Sequence, residues 1–325
     1  DVIDGVMGLM VEEGTTNLLT SAQADCVSGY TFTGNASQYA TLDYVTTDGY
    51  IGQTSARVVI SGYTSGDIYL RFISENIPAS PNTVYSFSCY VKGTAGVRYS
   101  LRAEEFNMSA WIQETTLQSK TADGTWQRVS GTITTRADTA YISLRVKFFG
   151  DGICLIDNAQ IEQKPYATSW TVGTRQPEVI TVPTAGILNA GEGSASVWVY
   201  VNDLIKNTSA WRYILAHGTS DTANFIVLRH GADNMWYAMT SNGAGQQSEV
   251  KINDTLLIGW HHFAMRWSAS ELALFIDGVK VGSVNNPYLP SAMNTNFSIG
   301  RWLLDAYGWT NTYIDDLALY NRALS

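Results

Sequence analysis

Chemistry in this chain of 325 residues would have to come from four histidines, three cysteines and its acidic side chains. His261 and His262 are neighbours, so on a strand they face opposite sides and cannot share one metal. Glu104 and Glu105 are adjacent too, and cannot act together as the acid and nucleophile of a glycoside hydrolase. They read as a solvated or salt-bridged strand edge. No Glu-x-Asp-x-x-Glu segment occurs, no Gly-x-Ser-x-Gly, and no lysine follows a glycine. The nucleophile elbow and the phosphate-binding loop are thereby excluded. Gly191-Glu192-Gly193 and Gly243-Ala244-Gly245 lack a third glycine and a following helix, and read as turns. Cys26, Cys89 and Cys154 have no Cys-x-x-Cys spacing, so three buried thiols are expected, with one disulfide plus a free thiol as the alternative. No catalytic set can be assembled, and the chain is expected not to be an enzyme.

Binding chemistry is better represented. Tyr69, Arg71, Tyr90, Arg102, Arg145 and Lys147 fall at positions that alternate with apolar residues. Aromatic rings stack on the apolar faces of sugars, and arginine forks grip hydroxyls or carboxylates. Ordinary cross-strand pairs on a wet sheet are the other reading. Further on, Trp302, Tyr307, Trp309 and Tyr313 gather near a glycine-rich loop. Trp302 and Trp309 join the candidate sugar-binding residues there, with core packing as the alternative.

The elements that must position these groups are strands. Residues 85–91 put Tyr85, Phe87, Cys89 and Val91 on one face and Ser86, Ser88 and Tyr90 on the other. Leu144, Val146 and Phe148 likewise oppose Arg145 and Lys147. Strict period-two alternation predicts half-buried strands with one wet face. Similar runs are predicted at 56–61, 67–74, 98–104, 127–134, 194–202, 224–229 and 271–284, and no helix of ten residues is evident. Asp277-Gly278 between two apolar runs predicts a hairpin with a type I′ turn. The fold class that follows is all-β: two tandem antiparallel β-sandwiches, at 1–172 and 173–325, joined near the proline-containing stretch 174–186.

The formal net charge of −9 argues against a nucleic-acid surface. No stretch approaches the roughly 20 apolar residues of a membrane span. The chain starts at Asp1 without a methionine, and is read as part of a longer polypeptide.

Three resemblances sharpen this picture. Asn17-Leu18-Leu19, the strand near 85–92, Trp126 and the closing Ile156-Asp157-Asn158-Ala159-Gln160-Ile161 resemble carbohydrate-binding jelly-roll modules of the family 4/9/22 type. Segments 8–13, 16–19, 160–162, 166–170 and 174–175 resemble those that frame such modules in bacteriophage tail-fibre and minor structural proteins. The second half, with Trp260-His261-His262, the Asp-Gly hairpin, Ile299-Gly300-Arg301 and a closing Ile314-Asp315-Asp316, resembles laminin-G-like, concanavalin A-like jelly rolls. The resemblance implies a calcium-binding role for Asp157. It also implies a glycan-binding or adhesion region of a virion tail or cell surface, meeting surface polysaccharide and other virion or surface proteins. A tail fibre would imply a trimer. A purely structural assembly domain, or the accessory binding region of a secreted polysaccharide-processing enzyme, are the other readings.

Overall fold

The structure, a computed structural model, describes residues 2–3, 6–33, 38–63, 68–72, 77–206, 210–302 and 308–325, without the side chains of 2–3, 6–7, 32–33 and 68–72. It is all-β. The helical elements among the described residues are the single turns Ser21–Ala24 and Asp203–Lys206. Two compact units form, Gly14–Gln176 and Pro177–Ser325 together with Asp1–Glu13.

The unit Gly14–Gln176 is a sandwich of two antiparallel sheets. One has the strand order Gln127–Thr134, Val84–Gly93, Gly152–Glu162, Ser55–Ile60, Ala40–Val45. The other runs Trp111–Thr121, Arg98–Phe106, Tyr141–Phe149, Ile68–Phe72, Tyr30–Thr33, with Ile77–Pro78 pairing beside Tyr141–Phe149. Alternation explains the layering. Phe87, Cys89 and Val91 of one sheet meet Leu101, Leu144, Val146 and Phe148 of the other in a single buried cluster. All three cysteines are free and buried in that cluster.

The second unit pairs two six-stranded antiparallel sheets. The first sheet is Ile180–Pro183, Asn296–Ile299, Arg212–Gly218, Phe225–His230, Met235–Ser241, Gln247–Asn253. The second is Val279–Asn285, Glu271–Ile276, Gly259–Trp267, Gly193–Val201, Thr312–Tyr320, Leu9–Val11. Their shared core holds Val197, Val199, Trp236, Phe263, Trp267 and Leu274. Gly193 is required where it stands, because a Cβ there would lie 2.1 Å from the Trp267 ring. Asp277 and Gly278 take φ of 49° and 79°, the positive pair a type I′ hairpin needs.

The boundaries differ from the 1–172 and 173–325 expected from sequence. The first thirteen residues belong to the C-terminal unit, since Leu9, Met10 and Val11 pair with Ile314, Tyr313 and Thr312. Local alternation carries no information about so distant a partner.

Candidate functional site

Backbone register gathers most of the basic candidates on one sheet face of the unit Gly14–Gln176. Arg102 lies opposite Arg145, which lies opposite Arg71. Ser100 lies opposite Lys147, which lies opposite Tyr69. The side chains of Tyr69 and Arg71 lie outside the described ones, so only their register positions are given. Tyr90 does not belong to this group. It sits on the other sheet, its ring stacked on Tyr50 at 3.7 Å with the Arg128 guanidinium 5.7 Å from its centroid.

Arg102 and Arg145 of this face are paired. Arg145 reaches Glu104 at 2.6 Å and Glu114 at 2.9 Å, while Arg102 bonds Glu114 and, through Nε, the Ser100 hydroxyl at 3.0 Å. Ser143 donates to the second Glu104 oxygen at 3.2 Å. Glu104 is only 1% exposed, so of the two sequence readings, solvated or salt-bridged, it is the salt-bridged one that holds. A buried carboxylate is tolerable because two hydrogen-bond donors and a guanidinium surround it. Glu105 points the other way, as adjacency demands, and accepts from Arg136 N at 2.9 Å and the Thr139 hydroxyl at 2.7 Å.

Two residues of this face escaped the sequence reading. Glu114 stands opposite Glu104 in register, and Trp111 donates its indole N–H to Glu104 at 3.2 Å. Trp111 is 56% exposed even so. Its ring is therefore fixed in orientation at one end and available to solvent. Towards the other end, the Lys147 ammonium and the Arg98 guanidinium lie 5.2 and 5.5 Å from the Phe149 ring. An aromatic platform beside alternating guanidinium and carboxylate groups suits a polyhydroxylated ligand, whose hydroxyls both donate and accept.

Trp302 and Trp309 require correction as exposed stacking residues. Both are buried. Trp309 lies in the core cluster and donates to the Glu178 carbonyl at 3.0 Å. Trp302 packs near Tyr213 and Phe225 and donates to Asp221 at 2.5 Å. Of their expected companions, Tyr307 lies outside the described residues, and Tyr313 sits on the strand Thr312–Tyr320.

Asp157 is buried and spends both carboxylate oxygens on amides, Tyr50 N and Asn158 N, each at 2.7 Å. Burial pushes its carboxyl up to about 6 against these hydrogen bonds. Among the described residues no group of three or more His, Cys, Asp or Glu could hold a metal ion. Both oxygens of Asp157 thus already accept amide hydrogens, and a calcium role for it stays a proposal.

The histidines are structural in the same sense. His217 accepts the Asn294 amide at 2.8 Å, and burial lowers its imidazolium to about 4. His261 bonds Asp277 at 2.7 Å, pinning the Asp-Gly hairpin. His230 is buried 3.3 Å from Asp254.

Residues 174–325 match the family model described as the concanavalin A-like lectin/glucanases superfamily. That match agrees with the resemblance read from the closing third of the sequence. No match was found among curated proteins. Solved structures similar to the chain include the CBM22-1–CBM22-2 tandem domain from Paenibacillus barcinonensis Xyn10C, 14% identical with a TM-score of 0.36, covering 96% of this chain and 100% of that one. The CBM22-1–GH10 modules of the Clostridium thermocellum endo-1,4-β-D-xylanase 10B are 16% identical with a TM-score of 0.36, covering 47% of this chain and 29% of that one. The enzymatically active domain of bacteriophage CBA120 tailspike protein 4 is 10% identical with a TM-score of 0.37, covering 45% and 21%. Function is therefore read from the side chains.

Proposed function

We propose that this chain is a non-catalytic glycan-binding region, and that the face bearing Trp111, Arg102, Glu104, Glu114 and Arg145 takes an extended polysaccharide. The observation that carries the reading is Trp111: a large ring exposed to solvent, yet held in place by a buried carboxylate. From Tyr141 to Phe149 the central strand runs about 27 Å, longer than one sugar. A chain laid along it meets an indole at one end and the paired charges in the middle.

A glycan array followed by affinity measurement tests the proposal. Trp111→Ala should weaken binding at least about thirtyfold, the ~2 kcal/mol of an aromatic anchor, while leaving the melting temperature nearly unchanged. A chain that binds no glycan on the array would favour a purely structural assembly role. Exposure on a virion or cell surface, where such polymers are met, belongs to the same proposal, and antibody labelling of particles or cells tests it.

The facing carboxylates Glu104 and Glu114 are what a glycosidase reading would use. Each is already engaged by arginine in an ion pair, so neither carboxylate is left to act as the acid or the nucleophile. No hydrolysis is expected. Release of reducing ends that disappears in Glu114→Gln would overturn this.

A further inference from the structure

A second cluster lies on the opposite face of the sheet that helps build the C-terminal core. Ile226, Leu228, Trp236 and Ala238 point into that core, so their chain neighbours Phe225, Val227, Tyr237 and Met239 point away from it, where they meet Tyr213 and Trp302. Register sets Tyr213, Arg229, Tyr237 and Lys251 in one row across four strands.

Arg229 is held by rings rather than by an acid. Its guanidinium carbon lies 3.8 Å from the Trp211 ring centroid, 5.5 Å from that of Tyr213 and 5.4 Å from that of Tyr237. Nη1 donates to the Tyr213 hydroxyl at 2.9 Å, and Nε is buried without an acceptor among the described residues. The nearby acids have other partners. Asp233 takes Lys251 at 2.9 Å and the Tyr237 hydroxyl at 2.6 Å, and Asp221 takes the Trp302 indole. Beside Arg229 is a cavity of about 140 Å³, lined also by Asp221, Gln247, Tyr213, Phe225 and Trp302.

We propose that this cavity is a second ligand site, separate from the Trp111 face, that receives the carboxylate of an acidic sugar. Rings attract a cation through their quadrupoles but leave its N–H groups unsatisfied. A carboxylate entering from the cavity meets the terminal Nη groups as a pair, since its two oxygens match the guanidinium fork. Tyr213, Phe225 and Trp302 supply apolar wall for a sugar ring, and Asp221 and Gln247 supply an acceptor and a two-way amide for hydroxyls. At about 140 Å³ the cavity has room for a carboxylate and part of the ring that bears it, and not for a chain. A peptide carboxylate would bring no hydroxyls for Asp221 and Gln247.

The test uses the purified chain with trigalacturonate, diguluronate and 3′-sialyllactose, followed by calorimetry and tryptophan fluorescence. Trigalacturonate methyl ester and poly-L-glutamate serve as comparisons. At least one acidic sugar should bind, with tenfold or greater weakening in Arg229→Gln and an intermediate loss in Arg229→Lys. For trigalacturonate, methyl esterification should weaken binding as much. The Arg229-dependent part of the binding should persist in Trp111→Ala, so the two sites fail independently. The proposal is overturned if none of the three binds at millimolar concentration, if acid and ester bind alike, or if folded Arg229→Gln binds as the parent does. Equal or tighter binding of poly-L-glutamate overturns it in favour of a peptide carboxylate. Should Arg229→Gln fail to fold, the acid and ester comparison on the parent chain decides.

Discussion

Ile156-Asp157-Asn158 and Ile314-Asp315-Asp316 close their units with one backbone device set to different tasks. In each, one residue of the neighbouring strand stands against two of the closing strand: Cys89 between the pairs Ser88–Gln160 and Tyr90–Asp157, and Val197 between Ser196–Ala318 and Trp198–Asp315. The residue after the aspartate turns left-handed, with φ of 50° at Asn158 and 46° at Asp316. In each, the aspartate caps the next amide, at 2.7 and 2.9 Å. These are β-bulges, and Asn and Asp are the non-glycine residues that tolerate such a φ best. The surroundings differ. Asp157 is buried and also holds Tyr50 N, and Asn158 accepts Ile51 N at 3.2 Å, so this bulge carries a loop whose Tyr50 ring lies on Tyr90. Asp315 is half-buried and, among the described residues, caps only its neighbour. A shared motif therefore marks shared geometry, while its energetic weight is set by what packs on it.

The largest consequence concerns stability. Asp157→Ala leaves the buried Asn158 amide without an acceptor, at about 1–3 kcal/mol, and the part-buried Tyr50 amide at about 1 kcal/mol, so a loss of roughly 2–4 kcal/mol is expected. Asp315→Ala should cost no more than about 1 kcal/mol. Urea unfolding of both variants measures the pair, and equal losses would break the comparison.

Acidity separates the two units next. Asp157 titrates at about 6 in the folded chain, above its ordinary value of 3.8. The folded state then holds the proton more tightly, so this group favours folding at low pH, and the benefit fades as pH rises from about 4 through 6. His217 is opposite. Its folded value of about 4 lies below 6.5, so the unfolded chain binds the proton more readily. Its contribution is present above about 6.5 and is lost as pH falls towards 4. Each shift of two units or more corresponds to roughly 3 kcal/mol. Asp157→Asn should remove a falling slope between pH 4 and 6, and His217→Gln a rising one, in stability measured against pH. Slopes of the same sign in the two variants would contradict these assignments.

Much of this was legible in the sequence because alternation is local. The strands around Tyr85, Arg102 and Leu144, the Asp277-Gly278 turn and both closing motifs all show in runs of a few residues. Trp111–Thr121 did not show, although it supplies Trp111 and Glu114. It is polar, and most of its residues are intermediate or exposed on both faces, so it has no apolar period to detect. The pairing of Arg145 with Glu104 and Glu114 depends on register between strands that no local pattern specifies. Trp302 and Trp309 misled for a related reason, since a glycine-rich loop can fold its aromatics inward. Arg229 was passed over because one arginine in an apolar strand signals nothing until its neighbours across the sheet prove to be rings.

The smallest effect is the most specific test of the two bulges. Glycine adopts the left-handed conformation without strain, relieving up to about 1 kcal/mol, but it costs a similar amount in the entropy of the unfolded chain. Asp316 makes no side-chain hydrogen bond among the described residues, so these terms nearly cancel and Asp316→Gly should lie within about 0.5 kcal/mol of the parent. Asn158→Gly meets the same two terms and also loses the acceptor for Ile51 N, which adds about 0.5–1.5 kcal/mol. The quantity to read is the difference between the variants in chemical unfolding, about 1 kcal/mol with Asn158→Gly the less stable. Because backbone terms cancel in that difference, it isolates the work of holding the loop. A difference of zero would mean that Tyr50 and Ile51 stay in place without Asn158, leaving Asp157 as their sole anchor in the bulge.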